Sequence, residues 1–361
     1  MNQTPHPPGE DMHYTVDDAW LARRTEPVIE PALPIVDPHH HLWERAGGPR
    51  YLLPDLLADI GGGHNVGATV FVECTTMYRT AGPPEQMSLG ETEFANGIAA
   101  MSASGVYGPV RVCAGIVGYV NLQTGAAARA LLEAHVRVAG TRFRGVRHSV
   151  TWHADPSIKP TFRKPKVPCP PGVLLDARFR EGFACLAPLG LSYDAWLYHT
   201  QLDELCDLAR AFPGTTIITN HFGGPLGMGP YAGRRDAVFA DWKTRIARLA
   251  QHPNVCMKLG GLGMRVFGFG MGTGDRAEPP SSVELADAWR PYVETCIEAF
   301  GTRRCMFESN FPVDKGSCSY TVVWNAFKRI AAGASAQEKT DLFSATARRA
   351  YALDSLPAVA A

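Results

Sequence analysis

The chain has 361 residues, 45% of them apolar and 19% charged, a composition that supports a large core and argues against intrinsic disorder. Its 35 basic and 35 acidic side chains cancel, so no global field draws it to nucleic acid or to an anionic membrane. Nine scattered cysteines without a CxxC pair speak against a disulfide framework and a structural zinc knuckle.

Residues 1–33 read as an arm, with two Pro-rich stretches around a short polar helix near Val16–Arg24. Its start, Met1–Tyr14, lacks the basic and apolar stretches of a signal peptide. No apolar run in the chain reaches the roughly 18 residues of a membrane span. The cytoplasm is therefore the expected location, no membrane or nucleic-acid partner is expected, and a homo-oligomer stays open.

From residue 34 to residue 361 a single domain follows, in which short β-branched runs alternate with helical patterns, the grammar of a parallel sheet. Eight strands are predicted: Ile35–His41, Ala68–Thr75, Val110–Gly118, Phe143–Ser149, Ser192–Tyr198, Thr215–His221, Val255–Gly260 and Cys305–Asn310. Helical patterns cover Glu91–Ala103, Ala126–Val138, Leu202–Ala211, Arg235–Gln251, Leu285–Phe300, Thr321–Ala331 and Ala336–Tyr351. Eight such units fit an α/β fold of the (β/α)8 TIM-barrel type. An open doubly wound sheet is the alternative, but the first βα turn has no GxGxxG. Three connections are too long for plain βα loops: Thr76–Gly90, Trp152–Leu191 (with Lys159, Arg163, Lys164 and Lys166) and Leu262–Ser281. Each follows a strand, so all three should gather at the C-terminal face as a lid or substrate wall.

Three segments carry chemistry. Asp37-Pro38-His39-His40-His41 ends the first strand. Strand alternation puts His39 and His41 on one face and His40 on the other, and two imidazoles so spaced can bind one divalent ion. The sixth strand ends in His221 before a Gly-Gly-Pro turn, which makes it a third ligand. The eighth carries Glu308-Ser309-Asn310-Phe311-Pro312, with Glu308 and Asn310 on a shared face and Asp314 in the loop beyond. At the ends of other strands stand Glu73, Arg147, His148 and Tyr198, with Trp196 and His199 beside Tyr198. Lys258 lies inside the seventh strand, where an unpaired charge is costly. Arg147 or His148, with Lys258 and the Tyr198 hydroxyl, would grip a small anionic substrate such as a carboxylate. The bland reading of Arg147 is a structural pair with a neighbouring acid.

Together these segments resemble the amidohydrolase superfamily, in the branch of TIM-barrel lactonase-like, metal-dependent hydrolases. The resemblance runs from about Ile35 to Tyr351. It matches His39 and His41 to the family's first-strand HxH and His221 to its sixth-strand histidine. It implies hydrolysis of a lactone or similar carbonyl substrate by activated water, with a divalent metal ion, zinc first and manganese next. Relatives that polarise the carbonyl without metal belong to the same branch. The family's eighth-strand aspartate is replaced here by Asn310, and an amide cannot take a proton from water. Glu308 or Glu73 is then the expected base. Two other functions follow from the resemblance: non-oxidative decarboxylation of an aromatic or muconate-like acid, and a binding relative that has lost its base.

Overall fold

A computed structural model describes residues 12–45, 49–159 and 169–353; Arg163, Lys164 and Lys166 of the second long connection lie outside them. Eight parallel strands run in chain order around a nearly closed barrel. They are β1 (Pro34–His40), β2 (Asn65–Val72), β3 (Arg111–Gly118), β4 (Phe143–Val146), β5 (Ser192–Ala195), β6 (Ile217–Thr219), β7 (Val255–Leu259) and β8 (Cys305–Phe307). The period of two sorts their side chains into two cores. On β2, Ala68, Val70 and Val72 join Val36, Val117, Ile218 and Met306 inside the barrel, with Ala347, Tyr351 and Leu353 of the C-terminal segment. Phe71, on the opposite face, belongs to the larger core between sheet and helices.

The predicted strands run two or three residues past most of the observed ladders. The residues in question, from His41 through Glu73, Arg147 and His221 to Asn310, stand just beyond the strand ends, on the rim where barrel sites form. Two helices went unread: Leu53–Ile60 and Ala177–Phe183. The second corrects the reading of Trp152–Leu191 as one long connection, because that segment contains the helix following β4. It has only seven residues, too few for a helical period to show. Its one local signal is Asp176, whose side chain accepts the Phe179 N–H and caps the first turn. The closing helix, predicted unbroken, is split by a π turn at Asp341–Ala345. The arm, whose helix spans Asp18–Leu21, docks on the third long connection. Trp20 Nε1 donates to the Ala277 carbonyl at 3.1 Å and Arg24 Nε to that of Pro279 at 3.2 Å.

The seam between β1 and the segment after β8 closes the barrel. Asn310 N–H donates to the His39 carbonyl at 3.0 Å, and His41 N–H to that of Phe311 at 2.7 Å. Two buried carboxylates stitch this region. Asp37 accepts from the backbone N–H of His39 and Ser309, from Ser309 Oγ and from the Tyr320 hydroxyl. Asp314 accepts from Asn310 Nδ2 at 2.8 Å and from Gly263 N–H at 3.0 Å. Burial raises Asp37 to about 6 and Asp314 to about 8, from 3.8.

Two predictions follow. Asp37→Ala leaves four buried donors without their acceptor, each worth about 1–3 kcal/mol when unsatisfied. Denaturant unfolding should show a loss of about 3 kcal/mol or more; a loss below about 1 kcal/mol would contradict the stitch. A raised carboxyl keeps its proton in the fold at a pH where the unfolded chain has lost it. The stability Asp314 contributes is therefore full below about pH 4 and lost as pH rises towards about 8. Above about pH 6.5, where the buried histidines are neutral folded or unfolded, thermal melts should drop towards pH 8, and Asp314→Asn should flatten that drop. A variant slope equal to the wild-type slope would count against it.

Candidate active site

β1 delivers its histidines through a bulge between Asp37 and His40. Strict alternation from the interior residue Val36 would turn His39 outward; the extra residue turns it into the barrel. His39 and His41 meet there, with Nε2 atoms 3.2 Å apart. His40 points away to Thr69 Oγ1 at 2.8 Å, with Cys113 Sγ at 3.9 Å. The Val72 carbonyl, 2.8 Å from His41 Nδ1, can only accept. That nitrogen therefore carries the proton and His41 Nε2 keeps its lone pair. Burial lowers His39, His41 and His221, leaving neutral rings suited to ligation.

Glu308 lies between β1 and β6. Its Oε1 accepts from His221 Nδ1 at 2.7 Å, and its Oε2 lies 2.7 Å from His39 Nδ1. The second contact is not aligned as a hydrogen bond, so Oε2 is a buried carboxylate oxygen without a donor. Gly261, at the end of β7, makes this approach possible. Its φ is +83°, and a Cβ there would lie 2.3 Å from His221 Nδ1. The indole of Trp196 packs edge-on against His221, centroids 4.8 Å apart. Asn310, two residues past Glu308, commits its amide N–H to Asp314.

Two cations flank the histidines. Arg147 pairs with Glu73 at 2.8 Å and also donates to the Glu73 carbonyl, while its Nη1 lies 3.3 Å from His39 Nε2. Lys258, fully buried, places Nζ 2.9 Å from Asp194, 3.2 Å from His39 Nδ1 and 3.8 Å from Glu308 Oε2. Asp194 also takes Asn220 Nδ2 and the Tyr351 hydroxyl. The sequence reading missed Asp194, Asn220 and Tyr351. The argument applied to Lys258, a charge inside a barrel strand, applies equally to Asp194 in Leu191-Ser192-Tyr193-Asp194-Ala195 and would have paired the two.

Two predicted contacts are not brought into this cluster. His148 Nδ1 accepts the Leu122 N–H at 3.2 Å, and its ring packs against Tyr119 and Phe179. A backbone donor thus holds its Nδ1 and fixes the ring. The Tyr198 hydroxyl donates to the Lys159 carbonyl at 2.9 Å and anchors the loop after β4. His199 likewise accepts a backbone N–H, from Leu226 at 3.3 Å.

The donor set fits a divalent ion. His39, His221 and Glu308 offer ligand atoms all within 4.8 Å of one another. Among the side chains named, the acids Glu73, Asp194 and Glu308 outnumber the cations Arg147 and Lys258. With neutral histidines that leaves formal negative charge in a buried place, which a cation relieves.

Comparison with known proteins places the chain in a family. The chain is 34% identical over 338 residues to the uncharacterised protein y4mH of Sinorhizobium fredii, covering 88% of this chain and 98% of that one. It is 26% identical over 331 residues to an L-fucono-1,5-lactonase of Burkholderia multivorans, covering 88% and 96%. A crystal structure of an amidohydrolase from Burkholderia multivorans with bound zinc superposes with a TM-score of 0.67 at 25% identity, covering 90% and 99%. The family model described as amidohydrolase matches residues 36–353, and the chain is an enzyme of the amidohydrolase family.

Proposed function

We propose that this enzyme hydrolyses a lactone or related cyclic ester that bears an anionic group. The observation that carries the reading is the cluster of His39, His221 and Glu308, with His41 beside it, at the rim of the barrel. The lactonase among its relatives and the zinc-bearing related structure support it. His39, His221 and Glu308 would hold the ion, zinc first and manganese next. A bound divalent ion supplies a nucleophilic water near neutral pH and polarises the carbonyl.

The chain's own residues do the rest. His39 and His41 present unprotonated nitrogens to the reaction space. Trp196 covers one side of His221 and keeps bulk water from it. Arg147 brings a guanidinium beside His39 for a carboxylate or a developing oxyanion. Glu73 already bonds that guanidinium, so its first task is to aim Arg147. Proton transfer falls to Glu308, the carboxylate in contact with both imidazoles. Asn310, whose amide cannot accept a proton from water, serves as a hydrogen-bonding wall.

His39→Ala, His221→Ala and Glu308→Gln should each lower kcat/KM by about 10²–10⁴ with folding intact by circular dichroism. Full turnover in any of them would place the chemistry elsewhere. Dialysis against a chelator should abolish turnover, and stoichiometric zinc should restore it; activity that survives chelation would remove the ion from the reaction. The substrate class is read from L-fucono-1,5-lactone and carboxylate-bearing lactones, followed by acid release. They are run against aromatic and muconate-like acids, followed by carbon dioxide release. Ring opening without carbon dioxide is expected; carbon dioxide without ring opening would make the enzyme a decarboxylase. Turnover seen only after Asn310→Asp would mark a binding relative that has lost its base.

A further inference from the structure

Beneath the histidines lies a buried polar group that the proposed reaction does not use. Asp194 on β5 is fully buried and accepts from Lys258 Nζ at 2.9 Å, from Asn220 Nδ2 at 2.9 Å and from the Tyr351 hydroxyl at 2.8 Å. Tyr351 comes from the end of the chain, and the Lys258 ammonium lies 5.3 Å from the centre of its ring. Such a network is costly beside the valine, alanine, isoleucine, methionine and leucine side chains of the barrel's apolar interior. A packed apolar interior would be cheaper, so its position beneath the site calls for a reason.

That reason is the Glu308 oxygen without a donor. Lys258 Nζ is 3.8 Å from Glu308 Oε2, against 2.9 Å from Asp194 Oδ1. A lysine reaches a new partner by rotating about a flexible stem. We propose that Asp194 is a positioning residue that holds Lys258 back from Glu308, so that the Glu308 carboxylate stays available to a cation beside His39 and His221. Asn220 and Tyr351 fix the Asp194 carboxylate in turn. Without the Asp194 charge, Lys258 is a buried cation with one carboxylate left in reach, and it closes on Glu308.

The inference rests on the proposed donor set, and its test separates the two. The measurement is Zn²⁺ affinity of chelator-treated full-length protein by isothermal titration calorimetry, with the visible spectrum of bound Co²⁺ as a check on the donors. Asp194→Asn, nearly isosteric, should weaken Zn²⁺ binding by about 10-fold or more, the usual effect of an outer-shell change. Adding Lys258→Met in the Asp194→Asn background should restore the affinity to within about threefold of wild type, because the group that closes on Glu308 is gone. Tyr351→Phe should weaken binding in the same direction by less. A general loss of structure would not be repaired by removing a second polar group, so the rescue separates positioning from packing. Wild-type affinity in Asp194→Asn, or no recovery in the double variant, overturns the proposal. His39→Ala binding Zn²⁺ as wild type does, or wild-type protein binding none, overturns the donor set itself.

Discussion

Everything in this site depends on how the barrel closes. Two backbone hydrogen bonds join the end of β1 to the segment after β8, one from Asn310 to the His39 carbonyl and one from His41 to the Phe311 carbonyl. The residues making these bonds are the histidines of the first strand and the turn that follows Glu308. Closure and site assembly are therefore one event. Asp37 locks it from behind by binding both strands through a single carboxylate. Its burial is tolerated because four donors converge on it. The bulge beside it turns His39 inward. A barrel closed one register differently would turn the seam's side chains to the opposite face, losing both its apolar packing and its donors.

The second constraint is electrostatic. Charged groups inside a barrel survive when each finds a partner, and here the partnering is arranged in layers. Glu73 occupies Arg147 on one side of His39, and Asp194 occupies Lys258 on the other. Both cations are thereby oriented towards His39 without being spent on it. The carboxylate left over is Glu308, whose closest contacts are the two neutral imidazoles at 2.7 Å, with Lys258 Nζ farther off at 3.8 Å. The chemistry thus comes from unequal partnering: four charges satisfy one another, and a fifth, flanked by histidines, is left for an ion.

Much of this was legible in the sequence, for identifiable reasons. The alternation of β-branched runs with helical patterns gave the barrel because each strand must bury both faces. The histidine segments stood out because imidazoles are rare at the ends of apolar strands. What stayed illegible depends on the third dimension. No spacing rule brings Tyr351 to Asp194, 157 positions away, since only the folded C-terminal segment does so. His148 and Tyr198 sat where rim residues should sit, yet backbone partners claimed their polar atoms. Position along a strand predicts the rim; it does not predict which side chain a backbone donor or acceptor will claim. The seven-residue helix Ala177–Phe183 was hidden because its signal is a cap rather than a period.

Asn310 then stops being an anomaly. Its amide N–H points at the Asp314 carboxylate 2.8 Å away, and Asp314 is tied to the loop after β7 through Gly263. An aspartate at position 310 would set a second buried carboxyl against Asp314, which burial already pushes up to about 8, and would raise the pair further by like-charge repulsion. An amide gives Asp314 a donor instead and joins the loops after β7 and β8 on one hinge. The carboxylate among the imidazoles is Glu308, two residues before Asn310 and between His39 and His221. Asn310 and Glu308 therefore divide two tasks between them: the amide serves Asp314 on one side, and the carboxylate serves His39 and His221 on the other.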